Sequence, residues 1–126
     1  MTNITPMLPE GRQVIQSYGD GGFRVAGVQH PGSVIVFAER TVPWHAQALA
    51  EASIENLGAV TTAGTAVRLL LIGAGRGTGL LDATLRRHLR ASGVVCEVMD
   101  TGAACRTFNV LLAEERQVAA ALIATT

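Results

Sequence analysis

The sequence predicts a single α/β domain, and three observations carry that reading. The first forty residues alternate apolar and polar positions between glycine turns. The stretch after Ala66 runs strand, glycine-rich turn, helix, strand. Finally, 126 residues with 48% hydrophobic and 16% charged side chains can bury one core without metals or disulfide staples.

Residues 1–11 are polar and proline-containing and read as a flexible lead-in, leaving 12–126 as the domain proper. Val14 and Ile15 lead up to Tyr18, and Gly19-Asp20-Gly21-Gly22 supplies the positive φ values of a tight turn. Alternation resumes over Phe23 to Val28, His30-Pro31-Gly32 reads as a second turn, and Ser33 to Ala38 as an apolar strand. Together these make an antiparallel β unit. Trp44 is the only tryptophan, and its ring is expected to anchor the following connection onto the core. Ala46 to Leu57, rich in Ala, Leu and Glu, is expected to contain a helix, and Ala59 to Thr65 a loop.

Val67 to Ile72 is a run suited to a buried strand, and Gly73 to Gly79 is its turn. Leu81, Leu85 and Leu89 recur at helical spacing, with Arg86, Arg87 and Arg90 on other faces, and Ser92-Gly93 ends that helix. Val94 to Met99 is another buried strand. Asp100 or Thr101 suits the N-cap of a helix carrying Ala104, Phe108, Leu111 and Leu112 on one face. Gln117 to Thr125 fits either an extension of that helix or a last strand, and periodicity does not decide between them.

Composition narrows function. All ten basic residues are arginine, which excludes a Schiff-base lysine, a Walker lysine and a lysine general base. Ten Arg against ten Asp plus Glu give zero net charge, so no nucleic-acid partner is expected. No signal peptide is evident, and no apolar run reaches the roughly 18 residues of a membrane helix. Cys96 and Cys105 are too few for a disulfide framework, so a cytoplasmic protein is expected.

Several motifs stand together in one order: Ser17-Tyr18-Gly19-Asp20-Gly21-Gly22-Phe23-Arg24, then Leu71-Ile72-Gly73-Ala74-Gly75, Met99-Asp100-Thr101-Gly102, Cys105-Arg106-Thr107-Phe108-Asn109 and Val118 to Ile123. In these, from about Ile15 to Ile123, the chain resembles the small Mth-type domain family of unknown function. That family's eukaryotic relatives include a mitochondrial complex I assembly factor and an adipogenesis-associated protein. The segment between Trp44 and Val67 departs most from the family pattern. The resemblance implies three layers, a mixed sheet, a β-hammerhead-like N-terminal part, two or three helices and a final strand over Val118 to Ile123. It implies no defined catalytic activity, and it suggests assembly or adaptor work. A protein partner is therefore expected, a second copy of the chain among the candidates, and no cofactor.

The chemical signals are weak ones. Strand, glycines, helix, strand and Asp100 mimic a dinucleotide-binding unit. Yet G-x-G-x-x-G counted from Gly73 puts Thr78 in the last position, and the count from Gly75 fails as well. A tight turn is the plainer reading, with anion capture by backbone N–H groups and Arg76 beside it. Cys105 in the first turns of a helix, next to Arg106, suits a nucleophile, but a small buried hydrophobe suits it better. Arg106 and Asn109, three apart, could grip a carboxylate ligand or tie the helix to the hairpin, and Tyr18 with Asp20 could rim such a site. Candidate catalytic residues are thus Cys105, Arg106 and Asn109. Candidate ligand-binding residues are Tyr18, Asp20, Gly73, Gly75, Arg76 and Asp100. His30, His45 and His88 lack partners at metal spacing, so no metal is expected. The Arg86, Arg87 and Arg90 face reads as solvated surface, with an acidic partner as its functional alternative.

Overall fold

The computed structural model describes residues 2–4 and 11–126. Four antiparallel strands make a first sheet in chain order: β1 (Thr2–Asn3), β2 (Ile15–Gly19), β3 (Gly22–Val25) and β4 (Val28–Pro31). Part of the expected lead-in is therefore sheet, since Thr2 pairs with Tyr18 and Asn3 with Ser17. Residues 5–10 of it lie outside the described residues.

The β2–β3 turn is Asp20-Gly21, both at positive φ (52° and 77°), the mirror-image turn that matches strand twist. The β3–β4 turn is Ala26-Gly27, with φ of 48° and 82°. This corrects the sequence reading, which placed the second turn at His30-Pro31-Gly32. His30 and Pro31 belong to β4, and the hairpin goes unannounced because alanine is a poor left-handed residue.

The second sheet has five strands in the order β6-β5-β9-β7-β8. They are β5 (Val34–Val36), β6 (Thr41–Pro43), β7 (Leu69–Gly73), β8 (Val95–Met99) and β9 (Val118–Leu122). β7 runs parallel to both β8 and β9, whereas β5 is antiparallel to β9 and β6, so the sheet is mixed. The ambiguous C-terminal stretch is thus a strand, and all five of its residues are buried at the centre of the sheet.

Strand alternation sets the layers, because successive side chains point to opposite faces. Ile35, Leu70, Ile72, Ala119 and Ala121 pack with Trp44 and with Leu85 and Leu89 of α2 (Ala83–Ala91). Val34, Val36, Leu71, Ala120 and Leu122 pack with Phe108 and Leu112 of α3 (Thr101–Ala113), and with Ile15 and Phe23 of the first sheet. The order is α2, five-stranded sheet, then α3 with the first sheet. The expected α/β fold and the Asp100 cap stand, Asp100 accepting the Ala103 N–H at 2.8 Å, and α2 gains a cap of the same kind, Asp82 accepting the Leu85 N–H at 3.0 Å.

Residues 46–57 do not form the expected helix. Only a 3-10 turn, Leu49–Glu51, appears there, and the short helix α1 (Gly58–Thr61) falls where a loop was expected. The cause is Asn56. Its Oδ1 accepts from the buried Trp44 indole at 3.0 Å and from the Ser53 N–H at 2.9 Å, while its Nδ2 donates to the His45 and Glu51 carbonyls. Satisfying a buried indole N–H outweighs the few tenths of a kcal/mol per residue that Ala, Leu and Glu gain in a helix.

Candidate functional site

Cys105 lies on the core face of α3, fully buried among Phe108, Leu112 and Ala120. Burial pushes its thiol up to about 12, a rise that the neighbouring Arg106 only partly offsets. A protonated, inaccessible thiol does not serve as a nucleophile. Cys96 is likewise buried, in the cluster on the α2 side, and its thiol is pushed up to about 11.

Asn109 is 5% exposed and bonds twice to one residue: the Ile15 N–H donates to its Oδ1 at 3.0 Å, and its Nδ2 donates to the Ile15 carbonyl at 2.9 Å. Ile15 sits where β2 shifts register against β3. The carboxamide thus serves as a substitute strand neighbour for a buried peptide group. Arg106, one turn earlier on α3, donates from Nη1 to the Tyr18 hydroxyl at 3.1 Å. The two residues share the side of α3 that faces β2, and both tie helix to sheet.

Two positions in the first turn of α3 were not singled out as site residues by the sequence. The buried Thr101 hydroxyl donates to the Ile123 carbonyl at 2.8 Å and accepts the Gly75 N–H at 2.9 Å, locking the ends of three strands together. Gly73 makes room for it: a Cβ there would lie 2.9 Å from the Thr101 Cα. Gly102 makes room for Tyr18, whose hydroxyl oxygen would stand 2.6 Å from an added Cβ. The signal for Gly102 was present, since glycine inside a helix costs about 1 kcal/mol and signals a close approach.

Five of the candidate ligand residues converge. Tyr18 and Asp20 from the first sheet, Gly75 and Arg76 after β7, and Asp100 before α3 line one cavity of about 450 Å³. Thr2, Gly19, Gly102 and the residues after β9, Thr125 and Thr126, complete its wall. Gly73, Cys105, Arg106 and Asn109 do not line it. The tail after β9 is held by Gly21 N–H donating to the Thr125 carbonyl at 2.7 Å and by Ala124 N–H donating to the Ser33 hydroxyl at 3.0 Å. Arg76 Nη2 donates to the carbonyl and hydroxyl of Thr126 at 2.7 and 3.1 Å.

The remaining candidates are dispersed. His30 is in β4, His45 is exposed beside Trp44, and His88 is on α2. Arg87 and Arg90 are exposed on α2, whereas Arg86 donates from Nη1 to the Cys96 carbonyl on β8 at 3.0 Å. Because β8 is an edge strand, this bond covers one of its open carbonyls. Among the described residues, no helix is long and apolar enough to cross a membrane.

Comparison with known proteins agrees with this architecture. An uncharacterised protein of Rhodobacter capsulatus is 39% identical over 113 residues, covering 90% of this chain and 86% of its own length. The NADH dehydrogenase [ubiquinone] 1 alpha subcomplex assembly factor 3 of Xenopus tropicalis is 32% identical over 109 residues, 86% of this chain. The chain spans only 60% of that factor's length. Among solved structures, one described as an outer membrane protein from Bartonella henselae superposes with a TM-score of 0.86 and 38% identity, covering 93% of this chain and 98% of that one. A Bordetella pertussis protein described as an Mth938-like domain gives 0.79 at 28% identity, over 99% and 95% of the two chains. Residues 15–123 match the model of one family, and the chain belongs to it: the proteins of unknown function DUF498/DUF598.

Proposed function

We propose that this chain is a non-enzymatic interaction module that acts in assembling a larger respiratory complex. The observation that carries this reading is its likeness, over most of its length, to proteins named as assembly factors of NADH dehydrogenase. The burial of Cys105 supports it, because the thiol most suited to covalent chemistry is spent on packing. So does the use of Arg106 and Asn109, which hold α3 to the first sheet. On this reading the partner is a protein and the working part is the outer surface of the domain.

Deleting the gene in its native host, then resolving membrane complexes on native gels stained for NADH dehydrogenase activity, tests the proposal. The expected result is a clear loss of the fully assembled complex, restored by the wild-type chain, with subassemblies accumulating. Unchanged assembly and unchanged activity would overturn it.

A further inference from the structure

The described residues form two sheets with four outer strands, and three of those are closed by their own sequence. β1 has two residues, β4 ends in Pro31, and β6 has three residues and ends in Pro43. Short edges and prolines keep a further strand from adding. β8 has neither defence: Val95–Met99 is five residues long without proline. Two bonds on its inner side fix the alternation of its peptide groups. The Val95 N–H donates to the Arg68 carbonyl at 2.9 Å, and the Ala74 N–H donates to the Met99 carbonyl at 2.8 Å. Val95, Glu97 and Met99 therefore turn their peptide groups to β7, and those of Cys96 and Val98 point outward. The Arg86 bond to the Cys96 carbonyl, at 3.0 Å, comes from that open side.

The two faces of this edge carry opposite charge. Val94, Cys96 and Val98 face α2, where Arg86 and Arg90 border the strand. Val95, Glu97 and Met99 face the side of α3, which lies over β7 and β9 and covers little of β8. Val95 is consequently 49% exposed, next to the half-buried Leu69, and Glu97 is exposed. Among the described residues, the side chains of Arg90 and Glu97 have no hydrogen-bond or ion-pair partner. A second copy, added across a two-fold axis normal to the sheet, would set arginines beside arginines on one face and Glu97 beside Glu97 on the other. A strand with one basic residue between two acidic ones meets opposite charge on both faces, because successive side chains alternate.

We propose that β8 takes an extended segment of a partner protein as a sixth strand of the sheet. In that segment an Arg or Lys stands against Glu97, apolar residues two positions away lie over Val95 and Met99, and flanking Asp or Glu residues face Arg86 and Arg90. The proposal rests on the assembly reading, in which the partner is a protein, and names the surface and chemistry of that contact. The probe is the blocked peptide Thr-Val-Glu-Arg-Glu-Val-Thr, whose pattern is the same in both directions. It would be added to about 5 mM while amide resonances and hydrogen exchange of the intact chain are followed. The expected result is saturable binding in which the Cys96 and Val98 amides gain at least about tenfold protection, while Glu97, already bonded to β7, changes little. Replacing the central Arg of the peptide by Glu should weaken binding about fivefold, as expected when an exposed cross-strand pair passes from unlike to like charge. Glu97→Arg, with the fold's spectrum retained, should reverse that preference. No saturable binding, binding without protection at Cys96 and Val98, or indifference to the central charge would overturn the proposal. Protection of the same amides on concentrating the chain alone would make the occupant a second copy and overturn it as well. None of these outcomes bears on the respiratory assembly that gene deletion reads, so the two readings fail separately.

Discussion

α2 and α3 cover the same sheet from opposite sides, and they do so with different chemistry. α2 faces solvent on its outer side and needs one stripe: Leu85 and Leu89 are buried, and its arginines lie outside or at the sheet edge. α3 packs against both sheets and leaves only Arg106, Val110 and Ala113 exposed, so its buried polar groups find their partners inside the protein. Thr101 and Asn109 are buried and fully engaged, Gly102 is a contact surface, and Cys105 is packing. A helix packed on one side tolerates change at most positions, whereas a helix packed against two sheets makes each buried polar residue a joint. The residues of α3 that look catalytic in the sequence look so because buried polar side chains and active-site side chains share one requirement, a fixed partner.

The strongest way to break the comparison is at Asn109. Asn109→Leu leaves the buried N–H and carbonyl of Ile15 without partners, at about 1–3 kcal/mol each. Urea denaturation should therefore show a loss of about 2–6 kcal/mol. A loss under 1 kcal/mol would mean that α3 is no joint.

Gly102→Ala comes next. The added methyl collides with the Tyr18 hydroxyl, and overpacking of this kind costs about 1–3 kcal/mol. In a Tyr18→Phe background the penalty should shrink, because the atom at 2.6 Å is gone and the ring carbon stands at 3.0 Å. A double-mutant cycle reads that coupling, and strict additivity would show that Tyr18 does not set the need for glycine.

The smallest effect is expected on α2. Arg87 is exposed and reaches only the Thr84 hydroxyl, at 3.3 Å, so Arg87→Ala should change stability by no more than about 0.5 kcal/mol. A larger loss would put α2 in the same class as α3.

The same contrast explains what was legible in the sequence. α2 announces itself by its leucine spacing and β7 by a continuous apolar run, because their burial depends on period alone, whereas β8, expected as a buried strand, is an edge strand with Val95 and Glu97 exposed. The fold class and the Asp100 cap follow from such local rules. The connection from Trp44 to Val67 did not, since Asn56 answers a tertiary demand, the indole N–H, that local propensity cannot register. Nor did the Ala26-Gly27 hairpin, where the fold imposes φ of 48° on an alanine. Within the site, Tyr18, Asp20, Gly75, Arg76 and Asp100 were singled out one by one, but their meeting at one cavity is a consequence of topology. Gly73 marked a real constraint of another kind, the close approach of Thr101.

Cys105 offers the most direct test that α3 is structural. In the unfolded chain its thiol ionises near the ordinary value of 9.0, whereas burial in the fold holds it protonated to about 12. Between those values the unfolded chain binds fewer protons, so stability is retained below about pH 9 and falls as pH rises towards 12. Alkylation by iodoacetamide, followed residue by residue across pH in a Cys96→Ala background, measures this. The account predicts that Cys105 is modified only at the rate of global unfolding from neutral pH to about pH 9, and that denaturant releases full reactivity. Rapid native-state modification at neutral pH, with a midpoint below 9, would contradict it.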